Sequence, residues 1–317
     1  MKKFLAGLGW LLSFGSLGAA AMSALAMLAV PHHIPVRALF RVAVTGVAPG
    51  ALCWTIAICF AALPGARQAP GSLPRFGLAQ GVWSILGTAL MMFCGALLPY
   101  TLALYASLLR ILRHEPSHMP DMHNLQMLAA SLLASELMAA LWVAWYLNRQ
   151  SKLVLVDGSA RGIAWRAASG TAYQMAALGA LAALALGVAE FRFAPPDMSK
   201  LNNLPMAQLL QGPPVIVALV LVVTVLLAPV LEEVLFRGLA FAGIATRLGA
   251  GWAVAITTLV FTALHAPEKI YYLPGFADVA AVALISCALR LRYRSIRPGI
   301  LLHFLYNFGM LVVPALS

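Results

Sequence analysis

Apolar runs of roughly 18 residues or more, the length a bilayer-crossing helix requires, recur along this chain and are separated by short polar breaks. The pattern predicts helical spans at Phe4 to Val30, Val42 to Leu63, Val82 to Leu108, Leu125 to Leu147, Thr171 to Val188, Val215 to Leu231, Trp252 to Leu264, Phe276 to Leu289 and Pro298 to Leu316. The seventh and eighth fall short of the ~20 residues of a full crossing, so they are expected to tilt, to re-enter or to be extended by their flanks. The expected fold is an all-α polytopic transmembrane helical bundle of about eight to nine spans.

Composition agrees with the pattern. Of 317 residues, 62% are hydrophobic and only 10% charged, against about a quarter charged in soluble domains, and the mean hydropathy is +0.90. The formal charge of +11 comes from 21 Lys and Arg against 10 Asp and Glu. These charges lie scattered at the ends of apolar segments, which speaks for topology and against a nucleic-acid partner. Alternating nine spans from Lys2 and Lys3 on the cytoplasmic side puts fourteen basic residues inside, Arg237 among them, and seven outside. The bias favours a cytoplasmic N-terminus in a cell (inner or plasma) membrane. Phe4 to Val30 exceeds the apolar core of a signal peptide and reads as an uncleaved first span. Cys53, Cys59, Cys94 and Cys287 all fall in apolar segments without a CxxC pair, so they read as small hydrophobes.

The polar stretch Asn148 to Ser169 divides the chain into an N-terminal four-helix region, 1–170, and a C-terminal region, 171–317. Ionisable groups inside apolar segments are costly unless paired or facing water, so each is a functional candidate. Three groups lie in the C-terminal region: Glu232-Glu233 with Arg237, His265, and His303 with Asn307. Neighbours on a helix point about 100° apart, so Glu232 and Glu233 cannot share a role. Glu233 and Arg237 are spaced i,i+4 with the acid first, the favourable order for an ion pair. Glu232 has Leu235 and Phe236 at those positions and needs a watered cavity or donors from other helices, a setting that suits a general base. His303 and Asn307 stack on one helix face. A carboxylate, two imidazoles and a carboxamide on one cavity either bind a metal or, without one, activate water and donate to an oxyanion, and both routes lead to hydrolysis.

At these residues the chain resembles the CPBP intramembrane proteases, the CAAX-processing and bacteriocin-processing group. Their three-part pattern EExxxR, FxxxH and HxxxN is present as Glu232-Glu233 with Arg237, Phe261 with His265, and His303 with Asn307, and Ser295 to His303 is similar to the lead-in of the third part. The likeness covers about 210–317. It implies an intramembrane endopeptidase acting on a membrane-associated or lipidated protein or peptide. In it Glu232 and His265 activate water, His303 and Asn307 stabilise the oxyanion, and Glu233, Arg237 and Phe261 support them. Descriptions of the family differ between a metalloprotease and a glutamate-type protease. No metal cofactor is favoured here, because Asn is a poor zinc ligand and no three-ligand set is compact in sequence; a divalent ion such as zinc would draw on Glu232, His265 and His303.

Glu136, inside the fourth span, reads first as a buried structural acid, with a place on the same cavity as the alternative. His114, His118 and His123 read as a solvated loop before they read as a metal site. Trp142, Trp145, Tyr271 and Tyr272 read as interfacial anchors. No GxxxxGK[ST] or GxGxxG run occurs, so no nucleotide partner is expected. The expected partners are the lipid bilayer and a membrane protein or peptide substrate. The rivals from other classes are a non-catalytic immunity or scaffold protein and a proton-coupled transporter, although transport predicts acids in both halves and a repeat.

Overall fold

The computed structural model describes residues 75–116, 124–151, 153 and 163–316, with the backbone alone from 312. All of them belong to one compact unit, Leu73–Ser317. The expected spans Phe4 to Val30 and Val42 to Leu63, and with them Cys53 and Cys59, lie outside the described residues.

The described residues fold into helices joined by turns, with no strand among them. Seven main helices occupy the seven remaining predicted spans: α1 (Leu78–Leu112), α2 (Leu125–Arg149), α3 (Gly170–Phe193), α6 (Pro214–Leu248), α7 (Ala250–Leu264), α9 (Gly275–Tyr293) and α10 (Arg297–Leu316). Short helices α4 (Met198–Leu201), α5 (Pro205–Leu210) and α8 (Ala266–Lys269) lie in the connections. Four helices, α1, α2, α3 and α6, are long and apolar enough to cross a membrane.

Small residues set how closely these helices approach. On α3 the buried stripe is Ala172, Ala176, Ala180 and Ala183, whereas Leu178, Leu181 and Val188 face outward. That is the arrangement expected when lipid rather than water is outside, since close backbone packing then drives association. Ala176, Ala180 and Ala183 pack with Val282 and Leu289 of α9 and Leu302 and Tyr306 of α10. Where α1 meets α2, a Cβ on Gly95 would lie 2.5 Å from the carbonyl oxygen of Ala134. Where α6 meets α1, a Cβ on Gly243 would lie 2.7 Å from the Cα of Gly81. Both contacts need glycine.

Caps and tethers fix the ends. The Asn124 side chain accepts from the Gln126 and Met127 N–H groups and starts α2. At the other end of α2, the Tyr146 hydroxyl donates to the carbonyl of Gln80 at 2.7 Å. Asp197 caps α4 and also binds Lys200, whose hydrogen bond, with those from Ser199, holds the Asp197 carboxyl down at about 2. The Ile296 N–H donates to Ala164, and the Ser295 hydroxyl to Arg166, which ties the segment before α3 to the start of α10.

The sixth span differs most from its expectation. Hydropathy ends it at Leu231, because Glu232, Glu233 and Arg237 interrupt the apolar run, yet the helix continues to Leu248. Internal pairing of Glu233 with Arg237 removes the reason to stop. Arg237, which strict alternation assigns to an inside loop, is therefore a buried helix residue, 1% exposed. Two π-helical segments, Val222–Leu227 and Glu233–Ala240, interrupt α6 on either side of Pro229. Pro229 has no N–H and its ring crowds the carbonyl of Val225, and a widened turn takes up that mismatch. Gly249, at φ +86°, then ends α6 and opens α7 one residue later.

Candidate active site

Glu232 is the nineteenth residue of the thirty-five in α6, so it sits near the middle of the helix. His265 follows the end of α7, which at 15 residues is too short for a full crossing, so a mid-helix carboxylate and this imidazole can reach one cavity.

The two adjacent glutamates part company as the 100° rotation requires. Glu233 is fully buried and its Oε1 lies 3.2 Å from Nη1 of Arg237. The Arg237 guanidinium in turn stacks 4.4 Å above the centroid of the Phe261 ring, and Phe236 meets the same ring edge-on at 5.2 Å. Cation–π stacking and ion pairing together give the buried charge two neutralising contacts. Phe261 is thus the floor on which the pair rests. Glu232, with a side chain 25% exposed, turns away from this pair.

It turns into a cavity of about 220 Å³ whose wall includes Glu136, Glu232, His265, Glu268, His303 and Asn307. His303 is buried at 3% exposure and stands between the glutamates, its Nε2 3.7 Å from Oε2 of Glu232 and its Nδ1 3.5 Å from Oε1 of Glu233. The imidazole at ion-pair distance from Glu232 is therefore His303, while His265 shares the cavity. His265 Nδ1 lies 2.8 Å from the carbonyl oxygen of Phe261. A carbonyl only accepts, so this nitrogen carries the proton and Nε2 is left with a lone pair. The ring of His265 also packs on Phe261, with centroids 4.6 Å apart.

Asn307 follows His303 by one turn and lines the same cavity, as its spacing predicts. One of its amide hydrogens is already engaged, because Nδ2 donates to the Thr224 carbonyl at 2.8 Å. Sequence spacing holds no sign of that bond, since its acceptor is a backbone atom on another helix. The presence of Pro229 inside an apolar run, which deprives nearby carbonyls of a donor, is the available signal.

Glu136 also reaches this cavity from α2, buried at 6% exposure and with Oε2 lacking a hydrogen-bond partner. Lys269, just beyond His265, lies 3.5 Å from the buried Asp278 of α9 and so anchors the loop that carries His265. Tyr272 is buried against Phe191 with ring centroids 5.4 Å apart, so it is a packing residue and not the exposed interfacial anchor expected; burial raises its phenol pKa. Trp145 remains half exposed. His118 and His123 lie outside the described residues, and His114 is an exposed residue just past α1.

As for a metal, no group of three His, Cys, Asp or Glu side chains among the described residues is placed to hold one ion. His303 stands between the two glutamates, and the Nδ1 of His265 bonds the Phe261 carbonyl, which leaves its Nε2 as the open nitrogen.

Comparison with known proteins adds one match. Residues 214–309 match the model of the Type II CAAX prenyl endopeptidase Rce1-like family, consistent with membership of the CPBP group. The matched segment contains Glu232, Glu233, Arg237, Phe261, His265, His303 and Asn307, and it leaves out α1, α2 and α3 with Glu136. No curated protein and no solved structure matches the chain.

Proposed function

We propose that the chain is an intramembrane endopeptidase of the glutamate type. The catalytic region is 171–317, the N-terminal transmembrane region is 1–170, and eight to nine spans lie in the cell membrane with the N-terminus cytoplasmic. The observation that carries this reading is the division of the glutamate pair: Glu233 is neutralised by Arg237, and Glu232 is free to face a cavity shared with His265, His303 and Asn307. The Rce1-like match over the same residues supports it.

In this mechanism a water molecule sits between Glu232 and the lone pair of His265 Nε2. Glu232 takes a proton from the water as its oxygen attacks the scissile carbonyl carbon. The carbonyl oxygen becomes an oxyanion, which receives hydrogen bonds from His303 and from the second N–H of Asn307. Glu232 then passes the proton to the amide nitrogen, the C–N bond breaks, and an acid and an amine leave. Low-dielectric surroundings strengthen each of these contacts. The substrate is a membrane-associated or lipidated protein or peptide; no nucleic acid or nucleotide takes part.

The test compares protein termini in membranes of cells expressing the native chain or Glu232→Gln. Termini that appear only with the native chain support the reading. Identical termini in both, with equal accumulation of the two proteins, would falsify it.

A further inference from the structure

Among the described residues two cations stand at this cavity, Lys269 on its wall and Arg237 behind it, and both are already matched: Arg237 by Glu233 at 3.2 Å and Lys269 by Asp278 at 3.5 Å. Three carboxyl groups on the cavity wall, Glu136, Glu232 and Glu268, have no such cation. Glu232 has His303 beside it and an assigned chemical role. Glu268 is exposed, on the short helix α8. Glu136 has neither excuse. It is the twelfth residue of the twenty-five in α2, at the middle of an apolar helix, 6% exposed, with an oxygen that meets no donor. A carboxyl held at that depth without a partner is costly, which makes it a candidate for contact with something that enters.

From this juxtaposition we infer that Glu136 binds a cationic side chain, lysine or arginine, of the peptide that enters the cavity, with Glu268 as a second negative charge on the wall. The inference rests on the peptidase reading and deepens it by naming a substrate feature. The site selects a substrate with a basic residue near the cleaved bond. A charge brought into a low-dielectric cavity is accepted where a carboxylate meets it and rejected where none does, so one acid at this place acts as a filter. The filter comes from α2, outside the family-matched segment, so chains sharing the catalytic residues need not share it.

Binding is measured without turnover, on full-length Glu232→Gln protein purified in a lipid-free nonionic detergent, so that any ammonium group comes from the peptide. The probes are two fluorescent octapeptides of alanine and leucine, one with a central lysine and one with norleucine in its place. The lysine peptide should bind about tenfold more tightly, and adding Glu136→Gln, which keeps the side chain's volume, should bring the two to within about twofold. Equal binding of both peptides to Glu232→Gln overturns the inference, and so does a lysine preference that survives Glu136→Gln. The peptide pair decides the matter even if position 136 tolerates no change. Because binding is read in an inert background, absence of cleavage by the native chain counts against the peptidase reading alone.

Discussion

Asn307 donates a hydrogen bond from Nδ2 to the backbone carbonyl of Thr224, 2.8 Å away across the interface of α10 and α6. The acceptor is free because of its helix. The Ala228 N–H bonds to Val223, five residues back, and the next residue, Pro229, has no N–H to give. Thr224 is thus left with a carbonyl that its own helix cannot satisfy, and buried backbone acceptors are rarely left so. One side chain therefore both repairs a proline defect and presents its remaining N–H to the cavity.

Removing that side chain is expected to have two separable effects. Asn307→Ala should lower stability by about 1 to 3 kcal/mol through the stranded carbonyl, and should lower turnover by about 10² to 10³ through the lost oxyanion donor. Pro229→Ala restores an N–H in the neighbourhood of that carbonyl. In the double variant melting temperature should recover in part while turnover does not. A double-mutant cycle on both readouts decides, and recovery of turnover along with melting would remove the oxyanion role.

The adjacent glutamates predict opposite phenotypes. Glu232→Gln and His265→Ala should abolish cleavage in a protein that still accumulates and melts normally, since neither side chain neutralises a buried guanidinium or ammonium and Gln keeps a polar group beside His303. Glu233→Gln or Arg237→Ala leaves one buried charge uncompensated, at an expected cost of about 3 to 5 kcal/mol. Detergent melting and yield, measured beside turnover, separate the two pairs; a Glu232→Gln protein that turns over at the native rate removes the base from the scheme.

Much of this is open to sequence reading, for identifiable reasons. The roles of Glu233 and Arg237 follow from helical spacing, and the separation of Glu232 from Glu233 follows from the rotation per residue, both local properties of one helix. Hydropathy misplaces the end of the sixth helix because it counts charges singly, whereas Glu233 and Arg237 cancel and let the helix run to Leu248. Spacing cannot assign Glu136 to the cavity, because it arrives by packing of α2 against α6 and no local periodicity encodes that. The Asn307 bond to Thr224 is invisible to motif reading because its acceptor carries no side-chain identity. Tyr272 departs from expectation because aromatic residues next to a span are as apt to pack as to anchor.

Metal removal tests the water-activation scheme from another side. With Glu232 and His265 as the activating groups, exhaustive chelation should leave turnover largely intact, and elemental analysis of purified protein should find well under one equivalent of zinc. Loss of activity on chelation, with recovery on adding zinc back, would return the chemistry to a metal and require side chains to regroup around it.

Gly299 supplies the last prediction. It lies in the first turn of α10, in the run leading to His303, and a Cβ built on it would stand 2.7 Å from Oε2 of Glu233 and 3.3 Å from Oγ of Ser286. Its φ is not in the left-handed region, so the constraint is space alone. The carboxylate it would strike cannot move aside freely, because Arg237 and His303 hold the other oxygen from two directions. Gly299→Ala should therefore push α10 away from α6 and cost about 1 to 3 kcal/mol, as overpacking of a close-packed interior does. Since α10 also carries His303 and Asn307, turnover should fall with the melting temperature while binding of the lysine peptide at Glu136, on another helix, changes little. Native melting and native turnover in Gly299→Ala would show that Glu233 is held less tightly than its contacts indicate.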